Sequence, residues 1–207
     1  MLRNYDILRK SHFTGSLIRN NIADAQDFRE WIFCPGMLFN AIDKWWGDRG
    51  TRSRPHEGLD LCLYRNQQGR VLRLAKGTLV PAMYDGVVVK IIDDFLGRSV
   101  IIDHSFPDAR AFCSIYGHTR PVRGLKAGSR VREGDIIAAI ADAGRPKTGL
   151  LPHLHITIGL ISDNVSYDRM DWETIGRPDM LTLLDPLVVI GGNYVIQGHD
   201  KSPCLPD

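Results

Sequence analysis

The chain has 207 residues, of which 43% are hydrophobic and 24% are charged, and its formal net charge is +2. This composition suits a globular domain that needs no disulfide framework, and the four cysteines are scattered without a Cys-x-x-Cys pair. The small net charge excludes nucleic-acid or membrane-surface binding through bulk electrostatics. No run approaches the roughly 20 apolar residues of a membrane-spanning helix, and the first residues lack the apolar core of a signal peptide.

Residues 1–50 have a different pattern from the rest of the chain. Between Asp24 and Trp46 the apolar positions recur three and four residues apart, which predicts short amphipathic helices divided at Pro35-Gly36. Three of the four tryptophans fall in this part. We therefore expect a helical N-terminal segment, residues 1–50, that packs on or near the functional groove.

From Thr51 onward the pattern is that of β-strands separated by turns. Apolar and β-branched runs follow turn signals such as Tyr84-Asp85-Gly86 and Pro107-Asp108. Short strands at this spacing predict a mainly β domain, an antiparallel sandwich or barrel, over residues 51–190. We expect a polar insertion with some helix near residues 162–185, and a loosely attached tail over residues 191–207. Two cysteines, Cys62 and Cys113, lie in apolar runs and are expected to be buried.

The most informative feature is the histidine pair His153-Leu154-His155. Side chains two residues apart in a strand point to the same face, so both imidazoles are expected to lie side by side with Thr157 in line. Leu154 and its apolar neighbours then face the core. Partly buried imidazoles need partners, which favours a metal or catalytic site over a purely structural role.

An earlier segment, His56-Glu57-Gly58-Leu59-Asp60, supplies the other candidate ligands. The sequence superficially resembles a helical His-Glu-x-x-His zinc motif, but Gly58 and the loop-like flanks argue against a helix. Without a helix Glu57 diverges from His56, so His56 and Asp60 are the candidate ligands. Two histidines and a carboxylate suffice to hold zinc and leave a position for water.

A third candidate, His118, ends a predicted strand in Tyr116-Gly117-His118, where alternation predicts that Tyr116 and His118 share a face. His56, Asp60 and one histidine of the 153/155 pair can bind zinc. His118 and the other member can then move a proton and stabilise an oxyanion. The remaining histidines stand alone and are interpreted as structural: His12, His104 and His199.

Taken in order, these motifs resemble the M23 (LytM/lysostaphin-type) zinc metallopeptidases. The family signature is a His-x-x-x-Asp segment, a later histidine after Tyr-x, and a terminal His-x-His. The sequence around these motifs also resembles the family, as in Val131-x-x-Gly134-Asp135 and Gly149-x-x-Pro152. The resemblance covers about residues 54 to 160.

The resemblance implies a barrel-sandwich of antiparallel sheets (duplicated-hybrid type) with Zn²⁺ in a groove. His56, Asp60 and His155 would be the zinc ligands, and His118 and His153 the catalytic histidines. The implied activity is zinc-dependent hydrolysis of peptide bonds, most often in the cross-link peptides of peptidoglycan, with no nucleic-acid partner. The family implies a periplasmic or extracellular location, although the chain shows no signal peptide.

Parts of the sequence also resemble proteins with other kinds of function. A non-catalytic binding or regulatory module would keep the same fold, but here every metal-ligand position of the family is filled. A latent enzyme would have its groove covered by residues 1–50 and opened by their removal. The sequences of the predicted strands also resemble those of biotinyl- or lipoyl-type carrier domains, but this chain lacks the lysine to which the cofactor of such a carrier is attached. A two-His-one-carboxylate iron oxygenase has the same ligand types but leaves His118 and the spare histidine unexplained.

Overall fold

The computed structural model describes residues 8–47, 50–104, 111–142, 150–162 and 165–198. Within these ranges one α-helix, α1, spans Phe13–Asn21. The strands are β1 Phe28–Phe33, β2 Leu59–Leu61, β3 Leu63–Asn66, β4 Val71–Arg73, β5 Leu79–Pro81, β6 Gly86–Asp93, β7 Arg98–Asp103, β8 Phe112–Pro121, β9 Arg130–Val131, β10 Ile136–Ile140, β11 Leu154–Ile161, β12 Leu181–Leu184 and β13 Tyr194–Ile196. No helix in the described ranges has the length and apolarity to cross a bilayer.

The larger sheet is antiparallel and has the strand order β12-β11-β8-β7-β6-β9, with β2 added to β11 and the β5-β10 pair added to β8. Its strands match the predicted β-branched runs, so the mainly β, antiparallel fold is confirmed. Strand β11 is buried along nearly all of its length because both faces of the sheet are covered. One face packs on the main core, which includes Leu154 and Ile156.

The insertion near residues 162–185 covers the other face of this sheet. Met170, Ile175 and Met180 form a second apolar cluster against Ile101 and Ile115. Among the described residues of the insertion, the expected helix is limited to one 3₁₀ turn at Tyr167–Arg169. The segment ends in β12, which extends the sheet at β11. The insertion therefore acts as a packed layer of the domain.

The smaller sheet has the order β13-β1-β3-β4, and here the prediction of helices between Asp24 and Trp46 is wrong. Phe28–Phe33 is a strand, antiparallel to β3 and parallel to β13. Trp31, Ile32 and Phe33 are all fully buried, so the strand is covered on both faces and its apolar spacing imitates that of a helix. Aromatic and β-branched residues favour the strand.

The C-terminal part is also more integrated than predicted. Tyr194–Ile196, in the expected loose tail, pairs with Trp31–Phe33, whereas residues 199–207 lie outside the described ranges. Cys62 and Cys113 are buried free thiols, as expected. Cys34, in contrast, is disulfide-bonded, a linkage that its isolated position in the sequence does not predict.

Candidate metal centre

Strand pairing brings two of the candidate ligands opposite each other. His155 on β11 is the cross-strand partner of Asp60 on β2, and on its other side it is paired with Gly117 on β8. Opposed residues of an antiparallel pair share a face, so the Asp60 and His155 side chains meet. His56 precedes β2 by a short loop and reaches the same point.

Three donor atoms converge at this point. His56 Nε2 lies 3.1 Å from His155 Nδ1, which lies 2.9 Å from Asp60 Oδ1. The third separation, His56 Nε2 to Asp60 Oδ1, is 3.2 Å. Tetrahedral ligands at zinc bond lengths stand about 3.3 Å apart, so both the donor types and their spacing fit zinc.

Each of these three side chains is held from its far side. His56 Nδ1 donates to the Leu38 carbonyl over 2.9 Å, which leaves the Nε2 lone pair facing the centre. His155 Nε2 is 2.9 Å from Thr157 Oγ1, and Asp60 Oδ2 accepts from the Trp45 indole N–H over 2.7 Å. Such outer contacts fix the orientation and tautomer of metal ligands.

The charge distribution also favours a cation here. Burial by itself would raise the pKa of Asp60, but the neighbouring imidazoles outweigh it and hold that pKa well below its ordinary value. Burial lowers the pKa of His155 to about 4 and that of His153 to about 3. At neutral pH a carboxylate therefore faces uncharged imidazoles, the protonation states that metal binding requires.

The glycine between His56 and Asp60 is required by close packing. A Cβ atom on Gly58 would stand 2.1 Å from the Ile156 carbonyl oxygen and 2.8 Å from His155 Nε2. The first of these atoms belongs to the backbone of β11 and has no room to move.

We therefore expect Gly58→Ala to destabilise the protein by about 1–3 kcal/mol or more, because β2 must separate from β11. The measurement is the free energy of unfolding by urea, with Gly69→Ala as a control at an open turn. A Cβ on Gly69 meets no atom within 4 Å, but its φ of +80° brings a smaller backbone cost. Equal losses in both variants would contradict the close-packing argument.

His118 reaches the centre through a β-bulge. Arg98 pairs with Thr119 and Val100 with Tyr116, so Gly117 and His118 together oppose Ser99. His118 has a φ of 63°, and its ring centroid lies 4.7 Å from that of His153 and 5.8 Å from that of His155. The bulge thus turns this side chain toward the other imidazoles.

The prediction that Tyr116 and His118 share a face is therefore wrong. Tyr116 is the cross-strand partner of Ile156, on the core face, and its hydroxyl accepts from the Met83 N–H over 2.7 Å. Strict alternation would have sent His118 to the core with it. The extra residue in β8 breaks that alternation.

Asp94, which no motif marks in the sequence, holds His118 in place. Its Oδ1 lies 3.2 Å from His118 Nδ1, and its Oδ2 accepts from the His118 backbone N–H over 2.8 Å and from Ser99 Oγ over 2.6 Å. Burial would raise the pKa of Asp94, but the bonds from His118 outweigh it and lower the pKa. A carboxylate only accepts, so His118 Nδ1 carries the proton and Nε2 is left with its lone pair.

A cavity of about 230 Å³ opens onto all five predicted side chains. Its walls also include Trp46, Phe95 and Trp172, and Glu57 lies at its edge, outside the three-donor group. A second hollow of about 730 Å³ adjoins it at His56 and Glu57 and is lined on its far side by the insertion.

Neither of the two isolated histidines in the described part of the chain lines the cavity of about 230 Å³. His104 is buried and bonded to the Asp85 carbonyl and to Ser114 Oγ, which fits the expected structural role. The exposed ring of His12 contacts Glu133 at the surface. His199 lies outside the described residues.

Comparison with known families adds a classification to this geometry. The model of peptidase family M23 matches residues 65–167. The chain belongs to peptidase family M23. The matched part contains His118, His153 and His155, whereas His56 and Asp60 precede its first residue. Membership places the chain among peptidases.

Solved structures similar to this M23 chain include peptidases from two bacteria. The catalytic domain of lysostaphin, an antimicrobial peptidase from Staphylococcus simulans, aligns at 21% identity and a TM-score of 0.42, over 69% of this chain and 85% of that one. A longer lysostaphin chain aligns at 21% identity and a TM-score of 0.40, over 64% of this chain and 42% of its own length. A zinc-containing peptidase from Vibrio cholerae aligns at 21% identity and a TM-score of 0.37, over 63% of this chain and 37% of that one. No curated protein shows a significant match to this M23 sequence.

Proposed function

We propose that this M23 peptidase is a zinc metalloendopeptidase that hydrolyses peptide bonds in the cross-link peptides of peptidoglycan. The observation that carries the proposal is the convergence of His56 Nε2, Asp60 Oδ1 and His155 Nδ1 beside two further imidazoles. A structural zinc site would be closed by four protein ligands, whereas three ligands beside a cavity leave a position for water. The substrate class is carried over from the family.

In this mechanism His56, Asp60 and His155 would hold the zinc. When bound there, zinc lowers the pKa of a coordinated water toward about 7 and polarises the scissile carbonyl. Two of these ligands have the protonation states that metal binding requires, because burial keeps the pKa of His155 low and the imidazoles keep that of Asp60 low.

His118 and His153 supply the proton transfer and the oxyanion stabilisation. The Nδ1–H of His153 donates to the Leu151 carbonyl over 2.8 Å, so its Nε2 is free to accept a proton from the attacking water. That Nε2 lies 3.8 Å from Asp60 Oδ1, next to the proposed metal position. Asp94 orients His118, which lies on the neighbouring strand β8. The two imidazoles, His118 and His153, together supply the proton transfer and the stabilisation of the oxyanion.

The proposal is tested on protein purified without chelator or added metal. We expect about one zinc per chain by elemental analysis, and clearing of a peptidoglycan suspension that a chelator abolishes and added zinc restores. Absence of zinc after reconstitution would overturn the proposed function. Zinc without clearing would instead support the alternative, a latent or non-catalytic M23-like module.

A further inference from the structure

The loop of residues 38–46, here called the supporting loop, lies outside the part matched by the family model and yet contacts two of the candidate ligands. The Leu38 carbonyl accepts from His56 Nδ1 over 2.9 Å, and the Trp45 indole donates to Asp60 Oδ2 over 2.7 Å. The backbones are joined as well: Asn40 N–H donates to the His56 carbonyl, and His56 N–H donates to the Ala41 carbonyl. The loop therefore fixes both the position of His56 and the orientation of Asp60.

The supporting loop is itself firmly packed. Trp45 is 4% exposed, and its ring meets that of His153 edge-on at 5.2 Å between centroids. A Cβ on Gly36 would stand 2.7 Å from the Asp43 carbonyl oxygen, so the loop folds directly back on the preceding turn. The Arg52 guanidinium bridges the same two places, with bonds of 3.0 Å to the Gly36 carbonyl and 3.1 Å to that of Asp43.

The two oxygens of Asp60 have different surroundings because of this loop. Oδ2 is occupied by the Trp45 indole and lies 3.5 Å from an Arg52 nitrogen, whereas Oδ1 faces His56 and His155. The carboxylate is thereby held with a single oxygen turned toward the donors of the other ligands. A buried carboxylate without such a partner would be free to rotate and would lose its best acceptor contact.

We propose that the supporting loop is a built-in part of the metal centre and that Trp45 is the positioning residue for Asp60, an inference that rests on the proposed zinc function. The loop lies within residues 1–50, the segment that the latent-enzyme alternative would remove to open the groove. The hydrogen bonds of the loop to His56 and Asp60 hold these candidate ligands in place. Removing the loop would take away the donor on which Asp60 depends.

The test is the zinc affinity of Trp45→Phe, measured by competition with a chromogenic chelator and so independent of peptide hydrolysis. Phenylalanine keeps an aromatic ring against His153 but removes the N–H donor and part of the ring volume, a loss of volume that the control variant shares. We expect the zinc dissociation constant to rise by about 10- to 100-fold, as for other outer contacts of metal ligands. Trp31→Phe is the matched control, because it also removes a buried indole bond, 2.9 Å to Thr14 Oγ1, far from the ligands.

Equal zinc affinity in folded Trp45→Phe and in the wild type would overturn the inference. If the variant does not fold, the role of Trp45 is tested on the wild-type protein, by recording the indole ¹H–¹⁵N resonances with and without zinc. Zinc binding should shift the Trp45 resonance and leave that of Trp31 in place, and an unshifted Trp45 resonance on a zinc-loaded protein would refute the role. Failure of the wild type to bind zinc at all would instead refute the proposed function.

Discussion

Alanine at His155 is expected to abolish zinc binding and peptidoglycan hydrolysis together, whereas alanine at His118 should abolish hydrolysis alone. His155 supplies one of the three converging donors, so its removal should weaken zinc binding by more than the roughly 100-fold of an outer contact. His118 stands beside the donors and shares proton transfer and oxyanion stabilisation with His153, a contribution of about 10²- to 10⁴-fold in rate. Zinc content and the rate of peptidoglycan clearing, measured on the same samples, separate the two effects.

The control for this pair is His12→Ala. Its side chain is 80% exposed and contacts Glu133 at the surface, so both zinc content and hydrolysis should match the wild type. Comparable loss of zinc in the His118 and His155 variants would refute the proposed division between ligand and catalytic histidine.

The second large effect is expected for Asp94→Asn. The substitution keeps the shape of the side chain but removes the negative charge and one of the two acceptor oxygens that hold His118. His118 then loses its fixed tautomer, and kcat should fall by about 10²-fold, the lower end of what a positioned acid–base group supplies. KM and zinc content should remain those of the wild type, because Asp94 contacts neither the substrate groove nor the three donors.

Asp93→Asn provides the same chemical change one residue away. The Asp93 side chain is 87% exposed and pairs only with the surface residue Arg98, so no change in kcat is expected. If Asp94→Asn retained full kcat, Asp94 would be only a turn residue, which accepts from the backbone of Leu96 and Gly97.

Much of the sheet could be predicted because its signals are local. The turn signal Tyr84-Asp85-Gly86 followed by a β-branched run marked β6, and the His-x-His alternation predicted both imidazoles on one face. The helix expected around Phe28 failed because a strand covered on both faces has no alternation to distinguish it from a helix.

The parts of the site that escaped prediction depend on contacts between distant segments. Trp45 and Asp94 lie in loops and act through bonds to Asp60 and His118, and no spacing rule connects a loop residue to a strand residue 15 or 24 positions away. The bulge at Gly117-His118 is likewise visible only once β8 is paired with β7. Periodicity identifies faces, whereas these features arise from register and turn geometry.

The register of β11 has a consequence for assembly of the protein. His155 is paired with Asp60 on one side and Gly117 on the other, so a slip of β11 by one residue would turn the His155 side chain away from the carboxylate. Only correctly paired sheets would then bind the ion. Zinc bound at the proposed centre would therefore stabilise the native pairing by mass action and leave misaligned pairings without this stabilisation.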